Sequence, residues 1–297
     1  MSALSARHRR ELAGWAFIMP NLVGVMLFLL VPVVVGAGLS FANWNLVSGV
    51  EGVRLTGLEN YRLLAVDPAY WRAVGRTVQY AGIAVPVTVA SGLLLALALH
   101  AGAFGSRVLQ LIFFLPHVVS MIALGVAWLL ILHPTAGIVN LALKAVGMDS
   151  PPLWLASPQW ALWCLMAISI WAAAGFHALV FMAALQAVPK ELQEAAMIDG
   201  AGWFRRFTTV TWPAITPTVT FLVVTSIIGF SQGFGLIAFL TEGGPGEAST
   251  TLSYLMYQTG FQQYRFGSAA AMGMTAFIGV AVVTALYWRW QRGRSLA

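Results

Sequence analysis

The stretch Pro189-Lys-Glu-Leu-Gln-Glu-Ala-Ala-Met-Ile-Asp-Gly-Ala-Gly-Trp-Phe-Arg-Arg-Phe207 is a charged island between two long apolar runs, Ser150 to Pro189 before it and Phe207 to Thr241 after it. Proline suits the start of a helix, and Glu191 and Glu194 in the first turns complement the positive end of its dipole. Gly200 and Gly202 permit a left-handed turn where the helix ends. The pattern predicts a short amphipathic helix. Ala195, Ala196, Met197 and Ile198 offer small or flexible apolar contacts suited to shallow docking in a groove of another protein, although the same residues also fit an ordinary interfacial helix.

Outward from that island the chain is dominated by apolar runs. It has 297 residues, of which 59% are hydrophobic and only 9% charged, and its mean hydropathy is +0.81. That leaves too little polar surface to cover a water-soluble globule, so lipid is the solvent for most of it. Uncharged stretches, histidine set aside, run from Leu12 to Val50, Thr77 to Ser106, Val108 to Leu143, Ser150 to Pro189, Phe207 to Thr241 and Phe266 to Trp288. Trimmed to the roughly 20–25 residues that cross a bilayer, they predict six transmembrane helices near 14–38, 77–99, 109–132, 161–186, 215–240 and 268–289. Residues 1–13 and 291–297 are then flanking tails of one membrane domain spanning 14–290, with the charged loop at 188–213. Runs this long without period-2 alternation argue against a barrel, and unpaired backbone in lipid leaves the helix as the alternative. The fold class predicted is an all-α membrane protein.

The N-terminal Arg7, Arg9 and Arg10 before an apolar run resemble a signal peptide, but the run stays uncharged from Leu12 to Val50. That exceeds a signal core of about 7–15 residues, so it reads as a retained first helix. With the N-terminus inside, the inner segments hold ten Lys and Arg (Arg7, Arg9, Arg10, Arg107, Lys190, Arg205, Arg206, Arg289, Arg292 and Arg294) and the outer segments six. The outer loops balance their six cations with Glu51, Glu59, Asp67, Asp149, Glu242 and Glu247, whereas the inner segments are strongly positive. The positive-inside rule therefore predicts both termini in the cytoplasm. Trp44, Trp71, Trp154, Trp160, Trp288 and Trp290 fall near span ends, where indole rings anchor at the headgroups.

Several chemistries fail on spacing. The only lysines, Lys144 and Lys190, lie in no GxxxxGK[ST] string, so ATP must be handled elsewhere. The formal charge of +6 is carried beside apolar runs rather than clustered with aromatics on a soluble face, which argues against nucleic acid. Cys164 is the single cysteine, so no internal disulfide forms, and the five histidines show no paired metal-ligand spacing. His117 and His177 fall inside spans, where a polar group is costly and either structural or functional. Gly229-Phe230-Ser231-Gln232-Gly233 matches the GxSxG of a hydrolase nucleophile elbow. That elbow needs a preceding strand, and here it lies in the fifth apolar span. The plainer reading has Gly229 and Gly233, four apart, admitting a neighbouring helix. No Asp or Glu falls in a span core, which weighs against a secondary transporter driven by protons or sodium, the other transport alternative.

Glu194-Ala195-Ala196, then Gly200, then nine residues to Val210-Thr211-Trp212-Pro213, resembles the EAA motif of permeases in binding-protein-dependent ABC importers. Val210 and Trp212 stand where Ile and Leu are usual. Gly57-Leu58-Glu59-Asn60-Tyr61, Leu185-Gln186-Ala187-Val188-Pro189 and Leu240-Thr241-Glu242-Gly243-Gly244-Pro245 are similar to the sugar branch, the one holding the first permease of maltose and glycerol-3-phosphate systems.

The resemblance implies the type I importer permease fold in a bacterial plasma (inner) membrane. It implies partnership with a second homologous permease, an ATPase dimer that carries ATP and Mg, and an extracellular or periplasmic solute-binding protein. A sugar-like substrate is expected, with a polyol, an oligosaccharide or a glycerophosphodiester as alternatives. Glu194, Ala195, Ala196, Gly200 and Pro213 would form the coupling joint, and this chain itself would hold no catalytic site, cofactor or metal. Positions facing the pathway in the family fall on Ala173, Phe176, Ser226, Gly229, Phe230 and Gly233. Independently, Ser226, Phe230 and Gly233 share i, i+4, i+7 spacing and so one helix face, offering a hydroxyl and a ring to stack on a sugar.

Overall fold

The structure, a computed structural model, describes residues 2–45, 49–100 and 106–295. The chain divides into two compact units, Met1–Asp67 with Met256–Phe277, and Pro68–Leu255 with Ile278–Ala297.

In chain order, α1 (Ser2–Val25) runs through one wide turn, Met26–Leu30, into α2 (Val31–Ser40). The wide turn comes just before Pro32, which has no amide hydrogen to continue the regular pattern. The helical segment thus extends past the predicted 14–38 at both ends, and its most apolar eighteen-residue window has no buried residue. The strands β1 (Ala42–Asn43) and β2 (Arg54–Leu55) pair antiparallel, with Ala42 opposite Leu55. Gly57 then takes a positive φ of 63° at the turn into α3 (Glu59–Val66).

That turn gives the Gly57–Tyr61 string a physical role. The buried Asn60 donates from Nδ2 to the carbonyls of Ser40 (3.0 Å) and Ala42 (2.9 Å), while the Tyr61 hydroxyl donates to Ser40 Oγ at 2.7 Å. Carbonyls left without partners where α2 ends are satisfied by side chains.

The second unit opens with α4 (Pro68–His100), which begins nine residues before the predicted 77–99 span and takes Arg72 and Arg76 into its first turns. The predicted span 109–132 is two helices, α5 (Ser106–Val118) and α6 (Met121–Ile131), bent by 108° to one another. Pro116 removes an amide hydrogen in the last turn of α5, and Ser120 adopts an extended conformation (φ −53°, ψ 135°) that starts α6 in a new direction. After α7 (Ile138–Ala145) comes α8 (Ala161–Gln186), with the bounds predicted for the fourth span. Next are α9 (Lys190–Ile198), α10 (Trp203–Arg206), a wide turn at Phe207–Thr211 and α11 (Trp212–Ser231). The predicted 215–240 span is interrupted after Ser231, and α12 (Gly235–Leu240) follows. The chain ends with α13 (Leu252–Tyr257) and α14 (Phe266–Ser295). Among the described residues five helices are long and apolar enough to cross a membrane, or six if the bent pair α5–α6 is one span.

A helix that is apolar all round belongs in an interior. The second unit accordingly packs around α8, which lies against α4, α5 and α11. One apolar cluster holds Ala96, Phe181, Leu185, Ile215 and Leu222. The other holds Leu165, Ile168, Leu236 and Ile237 around Tyr80, with Cys164 buried in it. Two glycines allow these approaches. A Cβ on Gly92 of α4 would overlap the Cβ of His177, and one on Gly175 of α8 would overlap the Phe113 carbonyl of α5.

Candidate functional site

Between α4, the α5–α6 bend, α8 and the end of α11 lies a cleft of about 520 Å³. Ala173, Phe176, Ser226, Gly229, Phe230 and Gly233 all line it. The route by which Gly233 reaches it differs from the shared helix face read from spacing. Because α11 ends at Ser231, Gly233 lies in the break, where its amide donates to the Phe230 carbonyl at 3.4 Å and its own carbonyl accepts from Ser253 Oγ at 3.0 Å. The reading of Gly229 as a helix-packing contact is corrected too. A Cβ added at Gly229 would meet nothing within 4 Å, so its missing side chain opens the cleft instead.

The same space is faced by His117 and His177, read from sequence only as polar groups inside spans, and by Tyr80 and Ser169, which the sequence reading did not find. Tyr80 of α4 hydrogen-bonds Ser169 of α8 at 2.5 Å. His177 bridges α8 and α11, with Nε2 2.8 Å from Ser226 Oγ and Nδ1 2.9 Å from the carbonyl of Ala173 one turn back. His117, at the bend, stacks on Phe176 with ring centroids 4.8 Å apart and planes 19° from parallel. Phe230 meets Tyr80 edge-on at 6.0 Å. The available signal was their rarity: polar side chains inside apolar spans tend to face one another or a cavity. No Asp, Glu, Lys or Arg is among the described lining residues.

The nucleophile-elbow reading of Gly229–Gly233 fails on local structure. Ser231 is the last residue of a helix that emerges from another helical turn, whereas an elbow places its serine between strand and helix. His177 of the cleft is hydrogen-bonded to Ser226 rather than to Ser231.

The charged island forms a second candidate site at the far end of the same helices. Its helix, α9, has no buried residue, and Ile198 is 86% exposed. Glu194 and Ala195 are exposed and Ala196 is half-buried. Gly200 adopts φ +75°, and the amides of Gly200 and Ala201 donate to the carbonyls of Met197 (3.0 Å) and Ala196 (2.9 Å). This paired closure is the Schellman motif, which needs a left-handed residue at the position after the cap. Gly202, expected to share the left-handed turn, instead has φ −65° and ψ 170° and starts α10. Exposed Trp203 and Phe204 follow, and Pro213 lies at the second position of α11, after the wide turn. Pro213 and Pro32 thus stand in the same relation to their wide turns, for the same missing amide.

The chain is similar to known proteins over most of its length. Residues 88–293 match the family described as "Binding-protein-dependent transport system inner membrane component". The match takes in α9 and every cleft-lining residue except Tyr80. The chain is 34% identical over 239 residues to the sn-glycerol-3-phosphate transport system permease protein UgpA of Agrobacterium fabrum, covering 80% of this chain and 81% of that one. It is 30% identical over 288 residues to the trehalose/maltose transport system permease protein MalF of Thermococcus litoralis, covering 97% and 96%. Its fold is similar, with a TM-score of 0.82 and 25% identity over 94% of this chain and 93% of the other, to a chain of the bacterial alginate ABC transporter in complex with alginate pentasaccharide-bound periplasmic protein. This multi-pass membrane protein therefore belongs to the family of inner-membrane components of binding-protein-dependent transport systems.

Proposed function

We propose that this chain is a permease subunit of an ATP-driven importer for a sugar or sugar-like solute, that it forms half of the translocation pathway, and that it couples to a separate ATPase through residues 194–213. The observation that carries the reading is the cleft: six positions chosen by family resemblance, from two separate helices and a break, border one space. Its chemistry suits carbohydrate, with aromatic rings for the C–H faces of a sugar and hydroxyl and imidazole groups for its hydroxyls. The trehalose/maltose and alginate relatives support a sugar over the glycerol-3-phosphate of the third. So does the lining, which among the described residues offers no lysine or arginine to a phosphate.

The coupling follows from connectivity. Only Ala187–Pro189 separates α8 from α9, and α10 with its wide turn joins α9 to α11. A partner that grips α9 therefore pulls on the ends of two helices whose other portions wall the cleft. In this reading an ATPase dimer that closes on ATP and Mg moves α9, and rigid helices carry the displacement to the pathway. A second homologous permease completes the pathway. An external solute-binding protein delivers the cargo, as the periplasmic protein in the alginate complex suggests. Both termini and α9 are cytoplasmic in this reading, which the bias of Lys and Arg toward one set of connecting segments supports.

Cells that produce the chain with its cognate partners should take up radiolabelled maltose or trehalose, and depletion of ATP with the ion gradient preserved should abolish uptake. Uptake that survives ATP depletion would establish a secondary transporter instead. Reporter fusions at residues 200 and 297 should both report the cytoplasm, and an external reading at either would reverse the topology.

A further inference from the structure

His177 lies 49 residues from Ser226 in sequence and touches it through Nε2. Its ring has little freedom. Its Cβ rests against Gly92, where a side chain of any size would displace it, and its Nδ1 is 2.9 Å from the carbonyl oxygen of Ala173. A carbonyl only accepts, so Nδ1 carries the proton, and in the neutral ring Nε2 is left as a bare lone pair. No carboxylate among the described lining residues favours an imidazolium instead. The 2.8 Å contact at Nε2 must then be made by the Ser226 hydroxyl donating to it.

From this geometry we infer that His177 is a positioning residue of the pathway: by accepting a hydrogen bond from the Ser226 hydroxyl it leaves that oxygen as a hydrogen-bond acceptor toward the cleft, which selects a solute presenting a hydroxyl donor at that point. This rests on the permease reading above. A free serine hydroxyl rotates and serves as donor or acceptor, so it discriminates little. With its proton committed to Nε2, Ser226 offers only lone pairs. Phe230, one helical turn further along α11, borders the same cleft. An acceptor beside a ring complements a neutral carbohydrate or polyol, which has hydroxyl donors beside a C–H face. A solute with an ether or carboxylate at that position would face lone pair against lone pair, a mismatch that leaves a buried polar group unpaired.

Two measurements test this. The first is 15N NMR of histidine-labelled protein in nanodiscs, with the His177 signals identified by their loss in His177→Gln. The expected spectrum has a neutral ring with the proton on Nδ1, and a bare Nε2 whose resonance moves in Ser226→Ala. A proton on Nε2, or an Nε2 resonance indifferent to Ser226→Ala, overturns the inference. The second is uptake of labelled maltose and trehalose by cells containing the complete system. Ser226→Ala and His177→Phe should each raise KM about tenfold, the scale of one hydrogen bond, with a smaller change in maximal rate. His177→Gln, whose amide oxygen restores an acceptor, should recover most of the loss. The double variant His177→Phe with Ser226→Ala should be no worse than Ser226→Ala alone, because His177 acts through that hydroxyl. Multiplying losses in the double variant would overturn the inference. Failure of the unmodified system to take up either sugar would count against the sugar reading alone, and the spectroscopic result would then decide the role of His177.

Discussion

Gly175 of α8 lies so close to the backbone carbonyl of Phe113 on α5 that no side chain fits between them. The contact holds α5 against α8 nearly two turns before the bend at Val119–Ser120, and so helps to set one wall of the cleft. Gly175→Ala should push the two helices apart at an overpacking cost of about 1–3 kcal/mol, seen as a lower thermal unfolding midpoint of the detergent-solubilised protein. Gly229→Ala is the control. It meets no neighbour within 4 Å, so its midpoint should not fall, while the narrower cleft slows uptake.

Gly200 separates backbone geometry from surface chemistry in the charged island. At φ +75° a β-branched residue is strained by about 1–2 kcal/mol, whereas Asn tolerates the left-handed region. Gly200→Val should leave normal amounts of protein in the membrane and remove transport. Gly200→Asn should retain much of it. Gly200→Asp keeps the turn but adds a charge next to Asp199 on the surface proposed to meet the ATPase, and uptake should fail while membrane insertion is normal. Normal uptake by Gly200→Asp would sink the coupling assignment.

Asn60 should be worth more than its place on the short helix α3 suggests. Asn60→Ala leaves the Ser40 and Ala42 carbonyls without their donor, at a cost of about 1–3 kcal/mol. A lowered unfolding midpoint, or new protease cleavage near residue 42, would report it.

The Arg72–Glu247 ion pair, by contrast, should matter little to stability. The contact is 3.1 Å, but the two side chains are 51% and 56% exposed, and exposed pairs contribute about 0–1 kcal/mol. Glu247→Gln should shift the unfolding midpoint by no more than a degree or two.

Phe230→Ala should raise KM for a transported sugar about tenfold, through loss of the ring that borders the cleft beside Ser226, with little change in membrane abundance. An unchanged KM would remove Phe230 from the cargo contacts.

Hydropathy had the most to say where a helix is bounded by the length of an unbroken apolar run. The bounds of α8 were read from length and apolarity, and the end of α9 from a glycine whose left-handed φ closes the helix on its own carbonyls. These are local decisions, made within a few residues by backbone hydrogen bonding and transfer from water. Breaks inside apolar runs were not legible. The bend between α5 and α6 and the interruption after Ser231 carry no charge to mark them, and hydropathy averages across both. Charge misplaced the start of α4, because Arg72 and Arg76 can end an apolar run without ending a helix.

The sequence by itself determined that this chain lives in lipid, that it presents one amphipathic helix outside its apolar runs, and which residues make that helix turn back. Only the tertiary structure decided what those runs enclose. Tyr80 and Ser169, 89 residues apart, and His177 and Ser226, 49 apart, become partners through the crossings of α4, α8 and α11. No periodicity along one helix specifies which hydroxyl a histidine on another will reach. That choice belongs to packing, where glycines such as Gly92 and Gly175 let backbones approach and so settle which polar groups share a cleft.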